Sequence, residues 1–248
     1  MDLRLKVVDV DPLGIERTYE TERVWLLAII DVATRCILGY TLCLHRECSR
    51  HEVIATLKHA LTPAEIPKIT LPGLSLSGSG GLVSQALPIT QYACWRQIRL
   101  DNARAHLATT SLDVLCEALG CVADFGPAYE PDDRPFIERF FGTLTNTLSR
   151  RLPGGLPSKQ ATTSKRSREA AKDLSLVVTV QELEELLDAT VWNYHGTPHA
   201  GLGGLTPLER MSQQVDGIGQ PPIRLRRLPE ALRDRLELFD GAGQRHEA

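Results

Sequence analysis

Trp25-Leu26-Leu27-Ala28-Ile29-Ile30-Asp31-Val32-Ala33-Thr34-Arg35-Cys36-Ile37-Leu38-Gly39-Tyr40-Thr41-Leu42 is the stretch whose reading decides the fold. Residues 25–30 are continuously apolar, as a central strand is when both its faces are covered. Residues 36–42 form another strand, only a tight turn away. Upstream, Leu3-Arg4-Leu5-Lys6-Val7-Val8-Asp9-Val10 alternates as a half-buried strand does. Asp11-Pro12-Leu13-Gly14 is turn chemistry. The chain therefore opens as a meander of three antiparallel strands.

Downstream the period changes. Ser49-Arg50-His51-Glu52 reads as a capping box, and Val53, Ile54, Leu57 and Leu61 line one face of the helix it opens. Residues 62–93 are rich in Pro, Gly and Ser and read as a long loop. Gln97 to Asp101 is the next strand. Leu107, Val114, Leu115, Ala118 and Leu119 suit a helix that Gly120 ends. Cys121 to Phe125 is a short strand, and Pro135 sits at the first position of a helix with Phe136, Phe140, Leu144 and Leu148 on one stripe. Residues 152–176 form a basic, flexible insertion carrying Lys159, Lys165, Arg166, Arg168 and Lys172. Thr179-Val180-Gln181-Glu182 and Thr206-Pro207-Leu208-Glu209 open two further helices, the first burying Leu183, Leu186, Leu187 and Val191. Strands alternating with helices after a meander make a mixed α/β fold.

At 248 residues with 42% hydrophobic residues, the chain can bury a substantial core. Its net charge of −3 does not announce a nucleic-acid binder, and a local basic face remains open. No apolar run reaches bilayer length, and the N-terminus lacks the apolar core of a signal peptide, which excludes an integral helical membrane protein and points to the cytoplasm. Cys36, Cys43, Cys48, Cys94, Cys116 and Cys121 form no CxxC pair and read as reduced, mostly buried thiols.

Two acids carry the chemistry. Asp101 closes the strand Gln97 to Asp101, and Glu138 lies just inside the helix opened by Pro135. One helix and one strand separate them, which can fold the two carboxylates back toward each other. Converging carboxylates are what a divalent-metal site for phosphoryl transfer needs. Taken singly, each has a plainer reading: Asp101-Asn102 can start a turn, and Glu138 can complement a helix dipole. Asn102 and His106 could contact DNA or water, or serve as caps and surface. Asp132 and Asp133 read as solvated loop acids. His195 and His199, lacking a third ligand, read as structural hydrogen-bonding groups. Trp25, Trp95 and Trp192 read as core. Arg150, Arg151 and the basic insertion could grip phosphates or simply be solvated.

Several of these segments resemble the retroviral-integrase-like catalytic core of DDE transposases, which has the RNase H-like fold. The hairpin Ile29 to Tyr40, the segment Leu100-Asp101-Asn102, the helix Pro135 to Leu144, and the closing run Trp192-Asn193-Tyr194 through Thr206-Pro207-Leu208-Glu209 occur in that family's order. The bacterial transposases of the Mu and Tn7 type are the most similar. The resemblance implies a mixed five-stranded sheet with flanking helices over residues 1–212, followed by a linker or tail at 213–248 that begins a missing domain. It implies a DNA transposase/integrase domain that cleaves DNA strands and transfers them. Asp101 and Glu138 would be both catalytic and metal-ligating, with two Mg²⁺ or Mn²⁺ ions in a complete site. The implied partners are DNA (transposon ends and target), further copies of the chain on DNA, and an ATP-dependent accessory protein, in the bacterial cytoplasm or nucleoid.

The family's first catalytic Asp lies on its first strand. Met1-Asp2-Leu3 best matches a second, non-catalytic Asp of that motif, which places the catalytic one upstream of Met1. Asp2, Asp9 and Asp11 are the in-chain alternatives. Whether the chain is an enzyme therefore stays open. The alternative is an inactive transposase remnant that binds DNA or other subunits. A third reading, an RNase H-like nuclease with another substrate, is opposed by the closing Thr206 to Glu209 segment.

Overall fold

The structure, a computed structural model, describes residues 2–10, 13, 15–44, 50–100, 116–117, 119–124, 135–151, 178–218 and 224–238. It is a mixed α/β fold with six α-helices among these residues. The first hairpin pairs β1 (Asp2–Val10) with β2 (Glu16–Arg23). After Val24 the chain continues into β3 (Trp25–Ile30), which pairs antiparallel with β4 (Ile37–Cys43). The expected three-stranded opening thus appears as two antiparallel pairs, with β2 as an additional strand. Among the described residues every sheet is two-stranded.

The β3–β4 turn is built by Asp31. Its carboxylate accepts from the Thr34 amide at 2.8 Å and the Thr34 hydroxyl at 2.6 Å. The Asp31 amide donates to the Cys36 carbonyl at 2.8 Å. Thr34 is fully buried, so this local bonding satisfies groups that water cannot reach. Arg35 takes a positive φ of 66° to close the turn.

The helix α1 (Arg50–Leu61) packs on β3 and β4, burying Leu57 and Leu61. Its approach is close. A Cβ built on Gly39 would stand 2.5 Å from the Thr56 carbonyl oxygen and 2.6 Å from the Ala60 nitrogen. Both are helix backbone atoms and cannot yield without moving the helix. Gly39→Ala is therefore expected to cost about 3 kcal/mol, the upper part of the usual overpacking range. A denaturant midpoint equal to that of the wild type would show that α1 slides to accommodate it.

Residues 62–93 carry the short helix α2 (Val83–Ala86), a 3₁₀ turn at Pro88–Thr90, and the start of β5 (Ala93–Cys94). Next, β6 (Gln97–Arg99) pairs in parallel with β7 (Val122–Asp124), with Arg99 opposite Asp124. The helix α3 (Pro135–Arg151) packs against β3 and against α4 (Val180–His195). The expected apolar stripe is present: Phe140 and Leu144 are 2% and 1% exposed, and Phe136 is half-buried. Leu148 lies outside the described side chains. In α4, Leu183, Leu187 and Val191 are buried and Leu186 is half-buried. The capping box Thr179–Glu182 is formed on both sides, as is Thr206–Glu209 at the start of α5 (Pro207–Asp216), with Pro207 in the first turn. Ser49 lies outside the described residues.

α4 is the axis of the larger core. Phe140, Leu144, Ile37, Tyr40, Leu183 and Trp192 share that cluster. α4 also anchors the long 62–93 segment. Glu185 accepts from the Thr70 amide and hydroxyl, both at 2.7 Å, which holds its carboxyl below the usual range. Trp192 donates its indole N–H to the Ser77 carbonyl at 2.8 Å. A second core cluster gathers Leu61, Cys116, Leu119 and Cys121 with Leu228 and Leu236. Leu228 directly follows β8 (Arg226–Arg227), which pairs with β5, and Leu236 lies in α6 (Glu230–Leu238). Cys36, Cys43, Cys116 and Cys121 are buried and Cys94 is half-buried, as the sequence reading expects, and Cys48 lies outside the described residues. Among the described residues no helix is long and apolar enough to cross a membrane.

Candidate functional site

The strands β6 and β7 run in the same direction, so their C-terminal ends lie side by side. Arg99 at the end of β6 donates to the Asp124 carboxylate at 3.0 Å through Nε, with a second contact of 2.8 Å from its terminal nitrogen. Asp101 follows two residues after Arg99 and lies outside the described residues. The segment after β7 leads to α3. There Glu138 sits in the first turn of the helix with its side chain exposed. This placement follows from the stripe on α3: burying Phe140 and Leu144 turns position 138 away from the core. Carboxylate oxygens suit a hard divalent cation, and the exposure of Glu138 leaves its oxygens accessible to one.

Among the described residues no group of three or more His, Cys, Asp or Glu side chains is arranged to hold a metal ion. Asp2 and Asp9 both lie on β1, at opposite ends of its ladder. Asp11, Asn102, His106, Asp132, Asp133 and the basic insertion lie outside the described residues. Arg150 and Arg151 end α3, and their side chains are outside the description too.

His195 is a structural group, as the sequence reading expects. It is 0% exposed. Its Nε2 accepts the Ile37 amide at 2.8 Å, so Nδ1 carries the proton and donates to the Gly81 carbonyl at 2.7 Å. Burial lowers its pKa to about 4, which keeps it neutral at pH 7. Trp192 is buried, while Trp25 and Trp95 are half-buried.

The sequence reading missed a cluster around Tyr194. The β3–β4 turn, α3 and the segment after α4 meet there. The Tyr194 hydroxyl donates to the Arg35 carbonyl at 3.1 Å, and its ring packs edge-on against Phe140 and His199 at centroid distances of 5.1 and 4.7 Å. The Arg35 guanidinium lies over the Phe136 ring at 3.1 Å. Arg139, the residue after Glu138, is exposed beside this group. No local sequence pattern marks this cluster, because segments far apart in the chain supply it.

The family model for the TnsB C-terminal domain matches residues 5–154, which run from β1 to just beyond α3. No curated protein matches the chain. The match covers more than half of the 248 residues and includes the hairpin, β6, β7 and the Glu138 helix. The chain belongs to the TnsB C-terminal domain family of Tn7-type transposases.

Proposed function

We propose that this chain is the catalytic core of a DNA transposase, performing metal-dependent strand cleavage and strand transfer on a five-stranded RNase H-like sheet. The observation that carries the reading is the parallel β6–β7 pair. It sends the segment bearing Asp101 and the segment leading to Glu138 out of the same end of the fold. Asp101 and Glu138 would hold Mg²⁺ or Mn²⁺. Bound there, divalent ions supply activation of an attacking water or 3′-hydroxyl and charge stabilisation at the leaving oxygen. The protein's own part is to aim the carboxylates: α3 fixes Glu138 by burying Phe140 and Leu144 against α4. Partners in this reading are transposon-end and target DNA, further copies of the chain, and an ATP-dependent accessory protein, in the bacterial cytoplasm.

A second reading is a DNA- or subunit-binding module without chemistry of its own. The description of the matched family as a C-terminal domain favours it. Incubation with transposon-end DNA and Mn²⁺ separates the two. The first reading expects a nicked end, a joined product when target DNA is added, and loss of both with a chelator. Binding of the same DNA without any nick would overturn the catalytic reading in favour of the second.

A further inference from the structure

Three cationic or titratable side chains from three parts of the chain converge at the cluster around Tyr194. Arg35 comes from the β3–β4 turn, Arg139 from α3, and His199 from the segment after α4. Arg35 is half-buried: burial lowers its pKa, Tyr194 and Asp31 oppose that, and the charge of Arg139 adds to it. The same two arginines bear on His199, whose pKa is lowered chiefly by burial. Asp31, the acid that bears on Arg35, is held by the Thr34 amide and hydroxyl, and two guanidinium charges brought together attract an anion.

Arg35 adds an independent sign. Its Nη1 is buried and has no hydrogen-bond partner among the described residues. A buried donor left unsatisfied is destabilising, more so when it is charged. A ligand oxygen would remove that cost. The Phe136 ring below the guanidinium holds its plane in place.

A cleft of about 430 Å³ between α3 and α4 opens at this point, with His199 on its wall. Its polar lining includes Thr143, Thr147, Thr190, Asn193 and Thr197, and among the described residues none that lines it is acidic. Thr143 and Thr147 follow Arg139 at helical spacing, so all three lie on one stripe of α3. The hydroxyls of Thr143, Thr190 and Thr197 donate to backbone carbonyls four residues earlier. Those carbonyls lie in helical turns, so the hydroxyls can rotate to a ligand.

We propose that Arg35, Arg139 and His199 form a phosphate seat that receives a backbone phosphodiester of bound DNA and leads the strand into the α3–α4 cleft. The ligand assignment rests on the transposase reading; the anion chemistry stands on the side chains themselves. A free inorganic phosphate offers the same tetrahedral oxygens, and the experiment separates the two sources.

The test is binding of fluorescent duplex DNA across a salt series without divalent metal, with transposon-end and unrelated sequences, and binding of inorganic phosphate in parallel. Arg139→Gln is expected to weaken both duplexes about tenfold and to lower the salt slope by about one, as loss of a phosphate contact does. Lys68→Gln, an exposed cation away from the cluster, serves as the control for net charge. Arg35→Lys keeps the charge but not the planar fork, and is expected to weaken binding with an unchanged slope. An unaltered affinity and slope in Arg139→Gln, or an equal loss in Lys68→Gln, would overturn the seat. If the wild type still cleaves DNA in that case, the transposase reading survives. Phosphate binding lost in Arg139→Gln, with no DNA binding by the wild type, would uphold the anion seat and remove the transposase reading instead.

Discussion

Glu138→Gln and Asp101→Asn are each expected to reduce Mn²⁺-dependent strand cleavage by more than about 100-fold. Mutation of groups that merely orient metal ligands typically costs 10–100-fold, so loss of a ligand should exceed that range. Each change replaces an anionic oxygen donor with a neutral amide of nearly the same size. Glu138 is exposed, and the apolar face of α3 does not involve it. The thermal midpoint of Glu138→Gln should therefore stay close to that of the wild type while activity falls. DNA affinity without metal should also be retained, because the cationic side chains are untouched. Cleavage assays beside melting curves check this. A Glu138→Gln protein that cleaves at the wild-type rate would remove Glu138 from the chemistry.

His195→Ala is expected to destabilise the fold by about 3–5 kcal/mol. The change leaves the Ile37 amide and the Gly81 carbonyl without partners, at about 1–3 kcal/mol each, and opens a cavity among fully buried neighbours. The same residue sets an acid limit. Its folded pKa of about 4 lies below the ordinary value of 6.5. The unfolded chain therefore binds a proton first as pH falls. The His195 contribution is intact above pH 6.5 and is lost between about 6.5 and 4. At about 1.4 kcal/mol per unit, that interval amounts to about 3 kcal/mol. Denaturant unfolding at pH 7.5 and pH 4.5 should show the loss in the wild type and a smaller one in His195→Ala. A wild-type stability that does not change over this range would contradict the buried, neutral imidazole.

Much of the architecture was legible because it was written in periodicity and caps. The continuous apolar run Trp25 to Ile30 does form a strand, but among the described residues it is half-buried and paired with β4 alone rather than covered as a central strand is. The stripe Leu183–Leu187–Val191, by contrast, is buried as its period requires. The Thr206–Glu209 box was equally direct, since its reciprocal bonds satisfy groups that any helix start leaves open. The strand β2 was not legible in the same way. Glu16 to Arg23 has no apolar face, only Thr18, Tyr19 and Thr21 among charges. Its register sets Asp9 opposite Arg17, Lys6 opposite Glu20 and Asp2 opposite Arg23. Such cross-strand complementarity becomes visible only once the partner strand is known. The return of Leu228 and Leu236 to the second cluster is a long-range event of the same kind, and no local pattern around residue 226 announces it.

The site divides along the same line. Glu138 could be placed on a helix because Pro135 and the aromatic stripe define that helix. The grouping of Arg35, Arg139 and His199 could not be foreseen, because three segments far apart in sequence supply it. Tyr194 joins two of them, through its hydroxyl bond to the Arg35 carbonyl and its ring contact with His199. Fold recognition depends on local repetition, whereas a basic cluster of this type depends on tertiary closure.

Anomalous diffraction from crystals soaked in Mn²⁺ tests the central claim most directly. The account predicts a Mn²⁺ peak held by both Asp101 and Glu138, with carboxylate oxygens at about 2.0–2.3 Å, the range of hard divalent cations. It predicts that the peak disappears in Glu138→Gln. Carboxylates held well beyond about 6 Å of each other, with Mn²⁺ bound elsewhere or not at all, would contradict it.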